Sequence, residues 1–200
     1  MAVDVIEVQQ LYVAYFGRPA DPIGEDFWTD ALDAGTMAQT DLSAVFAASQ
    51  EYRDMYAGMD NRAIVNEVYQ NLFGRAAETG GLEHWAGLMD RGIISIDDVV
   101  MVVSEAASGS DSVAFNGKVA AATLFTDRVD TPIELQAYSG DAANDIAMEF
   151  LATITDLSSA ADALDPDMVD VYIERIVNAH GSTPDPVGLV GVAPEPLPVV

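Results

Sequence analysis

Cysteine is absent from the 200 residues, which excludes disulfides and thiolate metal sites. Positive charge is scarce. Eight Lys and Arg stand against 33 Asp and Glu, for a formal net charge of −25. Such a field repels phosphate backbones and anionic headgroups, which weighs against nucleic-acid binding and against unaided attachment to a membrane surface. No apolar run nears the ~18 residues of a membrane-spanning helix; a stretch such as Val99–Val103 is far too short. The opening residues, Met1 to Glu7, carry neither the basic nor the long apolar region of a cleavable signal. This leaves a cytosolic protein, or export by a route that reads another part of the chain.

The usual signatures of catalysis are also missing. There is no G-x-S-x-G, P-loop, G-x-G-x-x-G or H-E-x-x-H motif. The two histidines, His84 and His180, lie far apart. A binding or assembly protein is expected, not an enzyme.

What the chain does have is a repeat. Residues 11–28 return as residues 68–85 at an offset of 57, with seven identities in eighteen positions. Tyr12, Phe16, Gly17, Arg18, Ala20, Gly24 and Trp28 match Tyr69, Phe73, Gly74, Arg75, Ala77, Gly81 and Trp85. A repeat of this length marks one supersecondary unit used twice. His84 stands where the first copy has Phe27, which argues against an essential proton-transfer role.

Apolar residues fall at helical spacing almost everywhere and predict an all-α fold. Val5, Val8, Leu11, Tyr12, Tyr15 and Phe16 form one stripe, stopped at Gly17. Asp21-Pro22 is an N-cap followed by proline in the first turn, and Gly35 ends the helix it opens. A third helix starts at Thr40 or Asp41 and leads into Tyr52 and Tyr56. The second copy runs from the Asp60 cap to Gly74, from Thr79 or Gly80 to Gly92, and onward from Ser95. The expected architecture is two tandem three-helix repeats, 1–58 and 59–109, with a further helical segment, 110–181, packed on them as one compact multi-helix domain. In that segment a long helix over 110–129 is predicted to turn Val113, Val119, Ala122 and Phe125 inward. Residues 182–200 are rich in proline and read as a tail or linker.

Two constellations offer binding chemistry. Arg18 and Arg75 each follow a glycine cap, where the free carbonyls and negative dipole end of a helix favour a cation. Each is open to two readings: a structural pairing, or a bidentate contact to a carbohydrate or carboxylate. Asp21, Glu25 and Asp26 form an acidic group that offers oxygen ligands to Ca²⁺. Asp141/Asn144/Asp145 and Asp165/Asp167/Asp170 do likewise, but none has the spacing of a helix-loop-helix calcium loop. Each group also contains a residue that serves as a helix cap or first-turn acid. Trp28 and Trp85 sit on apolar stripes and are expected in the core.

The pattern Tyr-x-x-x-Phe-Gly-Arg-x-Ala-[Asp/Glu]-x-x-Gly-x-x-x-Trp resembles a domain family of unassigned biochemical function found in bacterial exported surface proteins. It is distantly similar to the phycobilisome linker domain. Phe115 to Asp127 looks like the helix that follows the repeats in those proteins. The resemblance implies a helical N-terminal module of an S-layer or repeats-in-toxin exoprotein, exported by a type I system to the cell surface. It further implies anchoring to lipopolysaccharide glycan, often with calcium, or lattice assembly. The glycine-aspartate-rich nonapeptide repeats of such proteins are not in this sequence. The alternative, carried by the phycobilisome similarity, is a protein–protein scaffold or linker.

Overall fold

A computed structural model of the chain describes residues 3–182. The part of the expected Pro-rich tail beyond Ser182 lies outside the described residues. Twelve helices and no strand are present among the described residues. They are α1 (Val3–Phe16), α2 (Pro22–Asp33), α3 (Gln39–Ala47), α4 (Gln50–Met55), α5 (Asn61–Phe73), α6 (Thr79–Asp90), α7 (Ile96–Glu105), α8 (Ser110–Arg128), α9 (Pro132–Ala137), α10 (Asp141–Ala152), α11 (Leu157–Ala163) and α12 (Pro166–Ser182). The fold is all-α.

The sequence repeat is a structural one. Helices α2 and α6 begin and end 57 residues apart, and α3 and α7 begin 57 residues apart. Gly17 and Gly74 both hold φ near +65°, as do Gly35 and Gly92. These left-handed positions explain why glycine stands at each stop. The third helix of the first unit does not run on to Tyr56. It breaks at Ala48, and Ser49 caps the separate helix α4 by accepting the Tyr52 N–H at 3.2 Å. Helix α3 is capped at Ala38, with Asp41 three residues in and accepting the Ala38 N–H. Asp41 thus supports the cap without occupying it.

Burial divides into two cores. The first gathers α1 to α7 around Tyr12, Phe16, Trp28, Phe46, Val68, Leu72 and Val100. The second gathers α8 to α12 around Phe125, Phe150, Leu151, Val169 and Ile173, and takes Val13 from α1. Helix α1 therefore feeds both. Every residue from Leu11 to Phe16 is buried, as befits a helix with neighbours all round. It packs against α2, α3, α5, α7 and α8.

Helix α8 is the seam between the cores. Ala114, Lys118, Ala121, Ala122 and Phe125 are its inward positions, and Val113 is 42% exposed. The expected inward Val113 is thus corrected by one helical step: Ala114 lies in register with Lys118 and Ala122, whereas Val113 is rotated ~100° away. Small residues let α11 approach closely. A Cβ on Gly117 would stand 2.6 Å from the Ala160 Cβ.

Candidate functional site

The glycine turns that follow α1 and α5 place their arginines by the same geometry. Arg18 lies over the Tyr12 and Phe16 rings at 5.2 and 5.5 Å; Arg75 lies over Tyr69 and Phe73 at 5.2 and 6.0 Å. These are the i−6 and i−2 positions of the same helix end, and such stacking contributes about 0.5–2 kcal/mol. Each guanidinium then makes a two-pronged contact to a carboxylate in the first turn of a later helix. Arg18 donates to Glu51 of α4 at 2.8 and 3.0 Å. Arg75 donates to Asp111 of α8 at 2.8 and 2.7 Å. Each also donates to the carbonyl of the next residue, Pro19 or Ala76.

Burial separates the pair. Arg18 is 1% exposed. Burial pulls its guanidinium down, but the hydrogen bonds and charge of Glu51 outweigh that and keep it firmly protonated. Arg75 is partly open and adds a bond to Glu78 at 2.8 Å. Both arginines are thus engaged within the chain, and Arg18 offers no solvent face.

Asp21, Glu25 and Asp26 take three different roles. Asp21 is buried and caps α2, accepting the Gly24 N–H at 2.8 Å. Its carboxyl is pushed up by burial, against the Gly24 N–H and the nearby Arg18 charge. Glu25, also buried, accepts from Gln9 Nε2 at 2.6 Å, and burial pushes its carboxyl up as well. Asp26 faces outward. Among the described residues, no group of three or more Asp, Glu or His is gathered that could hold a metal ion.

In both units the repeat's tyrosine hydroxyl packs against its glycine. A Cβ on Gly81 would stand 2.6 Å from both the Tyr69 hydroxyl and Glu78 Oε1, and Gly24 is closed in by Tyr12 and Asp21 in the same way. Trp85 Nε1 donates to the Tyr69 hydroxyl at 3.2 Å. The glycine is required because its missing side chain makes room for a buried polar group.

The α1–α2 turn is also the place where the two cores lock. The Thr126 hydroxyl accepts from Gln9 and donates to the Ala20 carbonyl, both at 2.7 Å. The Tyr138 hydroxyl donates to the Pro19 carbonyl at 2.7 Å. Gln9 Oε1 accepts the Ala20 N–H, as Asn66 Oδ1 accepts the Ala77 N–H in the second unit.

An open cleft of about 220 Å³ lies between α1, α3, α7 and α8. Leu11, Ala14, Met101 and Phe115 supply its apolar part; Gln10, Gln39, Ser104 and Glu105 supply its polar part. Sequence reading missed these residues. They come from four helices and are helically spaced only within α1 and within α7, so no linear motif joins them.

No curated protein and no solved structure matches the chain. Over residues 7–56 and 43–110, together just over half of its length, it matches the family model described as "Domain of unknown function (DUF4214)", and the chain belongs to that family.

Proposed function

We propose that the chain is a non-enzymatic helical module that attaches an exported protein to the bacterial cell surface, with lipopolysaccharide glycan as its partner and Ca²⁺ as the bridging ion. The observation that carries this reading is the distribution of charge. Among the described residues, Arg18, Arg62, Arg75, Arg128 and Arg175 are each paired with a carboxylate, and Lys118 is buried. Arg53 and Arg91 are the cations left without an ion pair. The outer face is therefore anionic almost throughout, and it meets an anionic glycan through a divalent cation. With no three-acid group among the described residues to hold such an ion alone, Ca²⁺ is shared between protein carboxylate and glycan oxygens.

No helix among the described residues is long and apolar enough to cross a membrane, so attachment by this route is peripheral. The resemblance of the repeat to modules of exported surface proteins supports the same reading. The test is co-sedimentation with native outer membranes, with Ca²⁺ or with EGTA. Pelleting in Ca²⁺ that is lost in EGTA is the expected result. Absence of binding in both conditions overturns the reading. A complex with one protein partner, insensitive to salt and chelator, would instead establish a scaffold or linker.

A further inference from the structure

We propose that the cleft between α1, α3, α7 and α8 is a subsite for one neutral pyranose ring, an inference that rests on the glycan-binding reading above. Its lining is unlike the rest of the surface. Only one carboxylate, Glu105, enters it, beside two carboxamides, a hydroxyl, a phenyl ring and a thioether. The carboxamides of Gln10 and Gln39 and the carboxylate of Glu105 make no hydrogen bond to any described residue, whereas Ser104 donates to the Met101 carbonyl at 2.8 Å and keeps its oxygen free to accept. Three unengaged polar side chains thus surround an apolar floor.

That pattern selects among ligands. An anionic group would meet Glu105 within a chain of charge −25. A divalent cation needs ~6–8 oxygen ligands, and the one carboxylate cannot organise them. A sugar ring fits both halves of the cleft. Its hydroxyls donate to Glu105 and Ser104 and exchange hydrogen bonds with the two carboxamides, each of which both donates and accepts. Its C–H face packs on Phe115 and Met101. The volume of about 220 Å³ lies below the ~300–1,000 Å³ of pockets for drug-sized ligands, which suits one ring and not two. The repeat does not duplicate these side chains. Residues 57 further on from Gln10, Ala14 and Gln39 are Glu67, Asn71 and Ile96, so the cleft arises where the second unit's α7 meets the first unit's α1 and α3.

The test uses the full chain and a Gln10→Ala/Gln39→Ala double variant, with Glu105→Gln as a second, milder variant. Two readouts are taken: co-sedimentation with native outer membranes in Ca²⁺, and NMR shifts of the Gln10 and Gln39 side-chain amides on titration with neutral monosaccharides. Retained thermal midpoints with at least a tenfold loss of membrane binding in the double variant, and amide shifts in the wild type, are expected. Equal sedimentation of wild type and variants overturns the cleft assignment and leaves the anchor reading standing. Wild-type protein that fails to sediment in either Ca²⁺ or EGTA overturns the anchor reading; the titration then decides the cleft by itself, and absence of amide shifts overturns it. An amide response to unrelated peptides but not to sugars overturns it as well.

Discussion

Lys118 Nζ donates to the carbonyls of Gln70 and Asn71, at 3.1 and 2.8 Å, from a side chain almost wholly buried. A cation from α8 thereby closes the last turn of α5, where free carbonyls and the negative end of the helix dipole converge. Burial nevertheless pulls its ammonium down to about 8. Between pH 8 and the ordinary lysine value of 10.5 the unfolded chain binds the extra proton and the folded chain does not. Stability attributable to Lys118 therefore rises with pH through that window. The buried hydroxyls of Tyr12, Tyr52, Tyr56 and Tyr138, held up by burial, oppose this once the unfolded tyrosines ionise near pH 10. Urea midpoints measured from pH 7.5 to 9.5 should rise in the wild type relative to Lys118→Met. Parallel pH profiles would refute the assignment.

Asp21 and Glu25 titrate with the opposite sense. Their folded values lie above the unfolded 3.8 and 4.5 because burial penalises the carboxylate. The stability linked to them is fully present below the unfolded values and is lost as pH rises through the folded ones. Asp21→Asn keeps an oxygen for the Gly24 N–H and removes the charge. Its thermal midpoint should match the wild type near pH 3 and equal or exceed it at pH 7. A variant that loses stability at pH 7 would show that the ionised carboxylate is needed.

The two arginine clamps differ in their surroundings, which makes their consequences separable. Glu51→Gln strands a buried guanidinium and should cost about 3 kcal/mol, the lower end for breaking a buried pair, since Glu51 keeps some exposure. Asp111→Asn, opposite the more open Arg75, should cost less than about 1 kcal/mol. Denaturant unfolding of both variants supplies the comparison, and equal losses would contradict the burial difference.

Helical glycine ordinarily weakens a helix, so Gly→Ala should stabilise one. At Gly24 and Gly81 the tyrosine hydroxyl and the acid at the N-cap position occupy the space a methyl needs, and either substitution should destabilise by about 1–3 kcal/mol through overpacking. Gly80→Ala, with open space around it, should be neutral or stabilising by up to ~1 kcal/mol. Urea titrations of the three single variants decide the point. A stabilised Gly24→Ala would show that the nook has room for a methyl group.

Much of this molecule can be read from its residues, and the exceptions have physical reasons. Gly17, Gly35, Gly74 and Gly92 mark helix ends because a positive φ leaves few other choices. Asp21, Asp60 and Ser95 mark helix starts because each accepts an early backbone N–H. Helices α4, α9 and α11 escape notice, since six or seven residues complete too few turns to show a period. No spacing marks Lys118, because its partners are backbone carbonyls of α5. Arg18 and Arg75 stand out as a pair, but their partners Glu51 and Asp111 do not: these lie 33 and 36 residues away, outside the segments whose identities mark the repeat. The cleft is further from view still, because four helices must be packed before it exists.

The hydrogen bonds from Thr126 and Tyr138 to the Ala20 and Pro19 carbonyls span 106 and 119 residues. On a ribosome the first glycine turn is made early, but the groups that complete it emerge only after both repeats and the whole of α8 have been synthesised. The two repeats accordingly cannot behave as beads that fold one after another, each contacting only its neighbour. Closure of the first unit waits for a distant part of the chain, so the chain should acquire its structure late and in a single cooperative step.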